Sequence, residues 1–263
     1  MRVNSFEFGD LSSVPAFYHQ FLREFMSKIY FVFGIHKLWR KEISEFVERQ
    51  GAESIHDPCA GSGYVNQLIF ESLDKNLGAK FYLSDLMTDE SPEFAKQINS
   101  LGYQDLKFAE ESIDLLKIEA SKQMPKMFVN SFHHFNNEQV KEILKNTLGQ
   151  GKEILVLEYC RKTPDSLVSM LFGGVLSLLF FPFVVEKKFI IPSFIFTYLI
   201  PIIPFMLVWD GIVSCLRTHT ISSLKQILVE LNLTNVLIEK KTRRSLLYPS
   251  GVDSYFFKIE NRK

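Results

Sequence analysis

Asp57, Gly61, Gly63 and Asp85 form the set of residues whose types and spacing can do chemistry. A short apolar run ends in Asp57, two glycines follow within Ala60-Gly-Ser-Gly63, and a helix-permissive stretch, Val65–Leu73, comes next. That order reads as strand, tight turn, helix: the first unit of an open α/β sheet that takes a nucleotide-like ligand at its carboxyl edge. Glycine permits positive φ and lets the main chain approach a ligand where a Cβ would stand in the way. A second apolar run, Ala79–Leu83, ends at Ser84-Asp85. An acid at the tip of a second strand is placed to accept both ribose hydroxyls of an adenosine.

Two nucleotide classes share this logic. A dinucleotide site wants a third glycine, where this chain has Asn66, and rarely needs an acid just before a turn that holds pyrophosphate. S-adenosylmethionine carries no phosphate, and the ammonium of its amino-acid tail favours a nearby carboxylate such as Asp57. The pattern favours S-adenosylmethionine over NAD.

With these residues the chain resembles the class I S-adenosylmethionine-dependent methyltransferases. The first-strand motif is Asp57-Pro-Cys-Ala-Gly-Ser-Gly63, the ribose acid Asp85, and the third strand with its adenine-contacting end Lys107–Asp114. The fourth strand and its loop correspond to Met127–Phe135 and the fifth strand to Glu153–Glu158. The likeness covers roughly 50–160 and resumes at 235–260. It departs from the pattern at Ser112, where many relatives keep an acid (Asp114 lies two residues on), and at Pro58, where a small residue is commoner. The resemblance implies a Rossmann-like sheet, mostly parallel with the last strand antiparallel. It places S-adenosyl-L-methionine against Asp57, Ala60, Gly61, Ser62, Gly63, Ser84, Asp85, Leu86, Ser112, Ile113, Asn130 and Ser131.

The elements that must hold this set are legible in outline. From Ile55 to Glu158 strands alternate with helices, as a parallel sheet with right-handed crossovers requires. Residues 137–146 read as a helix opened by an Asn-Asn-Glu cap, and Thr220 caps another over 221–231. Val236–Lys240 and Ser254–Ile259 read as strands joined by a turn at Tyr248–Gly251. Residues 1–50 read as an N-terminal helical cap, with 51–263 the methyltransferase domain and an apolar helical hairpin inserted at about 165–216.

Inside that insertion Leu167–Val185 and Phe189–Trp209 carry no charge until Asp210, with only Glu186, Lys187 and Lys188 between them. Each run is long enough to cross a bilayer core of roughly 30 Å. Pro182, Pro192, Pro201 and Pro204, with Gly173 and Gly174, interrupt the runs. Spanning, dipping into one leaflet and capping an apolar acceptor pocket are the three readings open at this level.

Thirty basic and thirty acidic residues cancel, so no net field argues for nucleic acid. Three scattered cysteines show no metal-binding spacing and suit a reducing compartment; no metal is expected. Arg2, Glu7 and Asp10 break the N-terminus before any apolar core, against a signal peptide and for a cytoplasmic protein, with the cytoplasmic face of a membrane as a possible contact. The 25 phenylalanines point to extensive apolar contact.

Methyl transfer needs an aligned nucleophile, exclusion of water and, for a hydroxyl or amine, a base. His133 and His134, beyond the fourth strand, are the candidate bases, against the alternative that they shape the loop. Asp210, with Arg217 and His219, is a second catalytic candidate, against a salt-bridged elbow. Tyr18 (or its neighbour His19), His133, Tyr198, Trp209, Asp210 and Arg217 are the expected contacts of an apolar or amphiphilic acceptor. Lys240, Lys241, Arg243 and Arg244 suit either lipid headgroups or a solvated strand end. The competing functions are an NAD(P)-dependent oxidoreductase and a non-catalytic ligand-binding relative at a membrane. Acceptor identity and oligomeric state are left open.

Overall fold

The computed structural model describes residues 5–86, 91–119 and 123–260; Arg2 lies outside them. Ten α-helices occur among the described residues: α1 (Ala16–Val32), α2 (Ile35–Leu38), α3 (Arg40–Gln50), α4 (Tyr64–Ser72), α5 (Ser91–Ser100), α6 (Asn137–Leu148), α7 (Pro164–Val184), α8 (Ile190–Phe194), α9 (Ile202–Arg217) and α10 (Ile221–Glu230). The chain forms two compact units. One is a sheet unit of residues 36–159, 219–243 and 252–260; the other is a helical unit of residues 5–35, 160–218 and 244–251. The first fifty residues are thus shared between the two.

In the sheet unit seven strands lie in the order β3-β2-β1-β4-β5-β7-β6. They are β1 (Ile55–Asp57), β2 (Phe81–Leu83), β3 (Leu106–Phe108), β4 (Lys126–Val129), β5 (Ile154–Glu158), β6 (Val236–Arg243) and β7 (Val252–Ile259). All neighbours from β3 to β5 are parallel, and β7 runs antiparallel to both β5 and β6. The chain moves outward from β1 to β3 and then returns to β4. The order therefore reverses between β1 and β4, where open α/β sheets hold their ligands.

The central strands β4, β5 and β7 are buried along nearly their whole length, whereas the edge strand β6 alternates and carries Glu239, Lys240 and Lys241. Phe128, Val156 and Phe257 pack with Val140, Ile143 and Leu144 of α6 and Leu224 and Ile227 of α10. Asn136 and Gln139 form a reciprocal capping box that starts α6, and Thr220 with Ser223 does the same for α10. The β3–β4 connection departs from the alternation: its described part holds a 3-10 turn at Leu115–Lys117 and no α-helix. Of the basic strand end, Lys240 pairs with Asp253, Lys241 with Glu45 and Glu239, and Arg243 with Glu42; within the helical unit Arg244 pairs with Asp165.

In the helical unit α7 runs antiparallel to α9, with Ser166 beside Cys215, Gly211 against Met170 and Gly174 against Val208. A Cβ at Gly174 would stand 2.6 Å from Val208 and one at Gly211 2.7 Å from Met170, so glycine sets the closeness of this pair. α8 continues into a π-helical turn, Ile195–Leu199. After the break at Pro201, α9 leaves at 78° to that segment. The interruption read from the prolines is therefore a sharp bend.

Candidate active site

Asp57 closes β1 at the point where the strand order reverses, and it is completely buried. Its Oδ1 accepts the Cys59 N–H at 3.0 Å and its Oδ2 accepts the Asn66 side-chain amide at 3.1 Å. Asn66, a departure from the dinucleotide pattern, thus has a use of its own: it holds the acid. Burial pushes the Asp57 carboxyl up to about 7, against the pull of these two donors. Both of these donors are neutral, so a cationic ligand group would offset the charge that burial disfavours.

The turn after Asp57 is fixed by Ala60 N–H to the Ser84 carbonyl (3.0 Å) and Gly63 N–H to the Ala60 carbonyl (2.8 Å). Gly61 and Gly63 both take left-handed φ, at 57° and 73°. Their reasons differ. A Cβ on Gly63 would lie 3.0 Å from Ile98 and 3.1 Å from the Phe108 ring, so this glycine serves packing as well as the turn. A Cβ on Gly61 would meet no protein atom within 4 Å, and its N–H donates to Asp85 Oδ2 at 2.6 Å. The bare backbone of Gly61 and the Asp85 carboxylate share one open edge. Burial raises the Asp85 carboxyl, and the Gly61 N–H offsets part of that.

The flanking residues divide into those that face this edge and those engaged elsewhere. Leu86, beside Asp85, is exposed. Ile113 N–H donates to the Asp85 carbonyl at 3.1 Å, bringing Ser112 and Ile113 to the same edge. They line a cavity of about 550 Å³ with His56 and Tyr82. Asp114, which lines the same cavity, also caps the 3-10 turn by accepting the Leu116 N–H and pairs with Lys117 at 2.9 Å. The Ser84 hydroxyl is buried against His56 Nε2 at 2.7 Å, and its carbonyl fixes the turn through the Ala60 N–H. Ser62 bonds weakly to Tyr64 N–H at 3.4 Å.

Asn130 ends β4 with φ of 52°, a left-handed conformation uncommon outside glycine. Its side-chain oxygen accepts the Tyr159 N–H at 3.1 Å, which ties the end of β4 to the end of β5. Ser131 and the turn Phe132–His134 follow. His133 is buried, its Nδ1 lies 2.8 Å from Glu158 Oε2, and its backbone N–H donates to Glu158 Oε1 at 3.1 Å. Glu158 was not singled out from sequence; only the adjacency of β4 and β5 brings it to His133. His134 is exposed and stacks on His133 at 4.3 Å between ring centres. His219 is bonded to the Phe135 carbonyl at 3.0 Å and packs on Phe132.

Lys126 and His56 were also missed. They are register partners on β4 and β1 and both are buried. Burial drops the lysine to about 8 and the histidine to about 3, the latter aided by the lysine charge.

The remaining expected acceptor contacts lie in the helical unit, where all but Tyr198 fasten its own N-terminal segment. Asp210 accepts Phe8 N–H (2.6 Å), Gly9 N–H (2.9 Å) and the Tyr18 hydroxyl (2.8 Å). These three donors on two oxygens tie the carboxylate into the helical unit, while burial pushes it up to about 6. Tyr18 is its buried donor. Arg217 pairs with Glu7 (2.8 Å) and Asp10 (2.9 Å), which makes the salt-bridged elbow the better description. Trp209 donates to the Phe6 carbonyl at 3.0 Å, His19 contacts the Leu11 carbonyl at 3.2 Å, and Tyr198 donates to the Leu178 carbonyl at 2.6 Å.

With this geometry in hand, comparison with solved structures decides the fold. The chain superposes on the plantazolicin methyltransferase BpumL in complex with SAH at a TM-score of 0.53 and 14% identity, covering 92% of this chain and 88% of that one. The fold is that of the class I methyltransferases. OxaC in complex with SAH and oxaline matches at 0.51 and 16% identity, over 85% of this chain but only 47% of that longer one. The methyltransferase domain of bacterial CtHen1 matches at 0.50 and 9% identity, over 86% of this chain and all of that one. No family model matches the chain, and no curated protein does. The seven-stranded order with antiparallel β7 is that shared fold, and the turn at Gly61 occupies its first strand–helix junction.

Proposed function

We propose that the protein is an S-adenosylmethionine-dependent methyltransferase acting on an apolar or amphiphilic small molecule. It works in the cytoplasm and against the cytoplasmic face of a membrane. The observation that carries the methyltransferase reading is the edge shared by Gly61 and Asp85, set beside the buried Asp57 where the strand order reverses. BpumL and OxaC are both solved with SAH, the demethylated product, and OxaC also with a small-molecule partner, oxaline. The phenylalanine-rich helical unit supports an apolar acceptor.

S-adenosylmethionine, when bound, supplies a methyl group on a sulfonium, ready for in-line displacement. The residues present fit it: Asp85 offers its carboxylate to a ribose diol, the bare backbone of Gly61 permits close approach, and Asp57 offers charge to an ammonium. Leu86, Ser112 and Ile113 offer apolar and polar surface to a flat base. Asn130 and Ser131 border the reacting side.

His133 is the proposed base. In the tautomer that donates Nδ1–H to Glu158, the lone pair is on Nε2, which takes the proton of an acceptor hydroxyl or amine. Glu158 positions the ring and steadies the imidazolium that results. His134 is the second candidate, at the solvent side. The test is turnover against an extract of apolar metabolites with labelled S-adenosylmethionine. The reading expects label in an organic-soluble product and its loss in His133→Ala. NAD binding with hydride transfer would favour the oxidoreductase alternative.

A further inference from the structure

We infer that the helical unit beds one side into a lipid bilayer, lying flat, with the outer face of α7 and the α8–π segment in the hydrocarbon. This rests on the membrane contact proposed above and adds which face enters and how deeply. The observation is an inversion of polarity. In a water-soluble bundle large apolar side chains turn inward and small polar ones outward. Here the buried residues of the α8–π segment are Ser193 and Thr197. Half of the buried face of α7 is Ser166, Gly174 and Ser177. The outward face instead presents Phe172, Leu179, Phe183, Ile191 and Leu199, each more than 60% exposed. Small residues between helices with large apolar ones outside is how helices pack in lipid, where close backbone approach and dispersion replace hydrophobic burial.

Three further features name lipid as the occupant. α7 has a mean hydropathy of 2.3 over an 18-residue window of which 28% is buried, so it is no soluble core helix. The hydroxyl of the exposed Tyr198 turns back to donate to the Leu178 carbonyl at 2.6 Å, leaving its ring as the outward surface. Cations stand at the ends of the apolar stretch: exposed Lys187 and Lys188 after α7, and exposed Lys162 before it. These positions meet anionic headgroups.

The same unit argues against spanning. α1 packs on α7 through Phe25–Phe180 and Phe21–Phe181, Gln20 donates to the Val184 carbonyl at 2.8 Å, and Arg23 lies 3.9 Å from Glu186. If α7 crossed a bilayer, α1 would be carried in with Arg23, Glu24 and Lys28, which is costly. One face is therefore lipid-facing and the α1 side is not, the geometry of a monotopic protein.

The test is flotation of the full-length protein with sealed vesicles of phosphatidylcholine and phosphatidylglycerol, and of phosphatidylcholine alone. Binding to both is expected, stronger with the anionic lipid and weakened by salt. Phe172→Glu and Leu179→Glu, on the outer face, should each weaken binding roughly tenfold or more without lowering the melting temperature. A cysteine at position 188 (Lys188→Cys), compared with the parent, should react with an impermeant maleimide outside the vesicles equally before and after lysis. Protection until lysis would show spanning and overturn the inference. So would failure to float, unchanged binding in the glutamate variants, or a stable dimer that ignores vesicles. Calorimetry with S-adenosylhomocysteine on the same samples separates the two readings: floating protein that binds none refutes the methyltransferase function and leaves the docking face standing.

Discussion

Replacing Asp57 with asparagine should stabilise the cofactor-free protein at pH 8 while removing its hold on the cofactor. The carboxyl is wholly buried and pushed from 3.8 to about 7, chiefly by burial. The folded value lies above the unfolded one. Between those pH values the folded chain therefore holds a proton that the unfolded chain has lost, and stability falls as pH rises from about 4 through about 7. At about 1.4 kcal/mol per pKa unit the interval amounts to about 4 kcal/mol. Asparagine carries no charge to desolvate. It can still accept the Cys59 N–H, and Asn66, whose Oδ1 has no hydrogen-bond partner, can turn its amide to accept from the new NH₂ group. Between about 2 and 4 kcal/mol should be regained above pH 7, a rise in Tm of roughly 5–10 °C for a chain of this size. Thermal unfolding followed by circular dichroism from pH 5 to 8.5 reads this directly. The parent should lose stability across the range and the variant should be flatter. Calorimetry on the variant should show S-adenosylhomocysteine affinity reduced by at least tenfold. A variant that melts lower than the parent at pH 8, or keeps the parent's pH slope, would refute the reasoning.

Other outcomes follow from the same geometry. Gly61→Ala meets no protein atom and should fold at a cost of about 1–2 kcal/mol for its left-handed φ, yet bind S-adenosylhomocysteine more weakly in calorimetry; the bulkier Gly61→Val should abolish binding. Parent-like affinity in a folded Gly61→Val would show that the turn is not the site. His133→Ala should lower kcat by about 10²–10⁴ with cofactor affinity unchanged. Glu158→Gln should lower it less and alter the pH–rate profile. Asp210→Asn should cost about 1–3 kcal/mol of stability by leaving a donor without its acceptor, a cost that shrinks as pH rises through about 6 because burial already disfavours the charged carboxylate there, and should leave cofactor affinity alone; a large loss of kcat in a stable variant would show a catalytic role.

The strands of the sheet were readable because they depend on local signals, apolar runs closed by turn residues, and the mostly parallel sheet with an antiparallel last strand followed from the family resemblance; the strand order is a long-range property that local signals do not carry. Asn66 was readable only as a departure, since its bond to Asp57 is a matter of three-dimensional packing. Glu158 was invisible as the partner of His133, because 25 residues separate them and only sheet adjacency joins them. Asp210, Arg217 and Tyr18 looked chemical because buried polar residues in apolar surroundings resemble a site. Their partners, Phe8, Gly9, Glu7 and Asp10, lie some 200 residues away in sequence from Asp210 and Arg217. The two uncharged runs were legible as lipophilic, but not which face turns outward: the inward residues of α7 recur every three or four positions, yet they mix Ser166, Gly174 and Ser177 with Met170, Phe181 and Val184, so residue type does not mark the face.

The central claim is that the edge formed by Asp57, Gly61 and Asp85 binds S-adenosylmethionine. Isothermal titration of the purified protein with S-adenosylhomocysteine, with NAD as control and Asp85→Ala alongside, tests it most directly. The account predicts one site per chain for S-adenosylhomocysteine, none for NAD, and a loss of about 1.5–3 kcal/mol for each ribose bond removed in the variant. Binding of NAD with none of S-adenosylhomocysteine, or affinity untouched by Asp85→Ala, would contradict it.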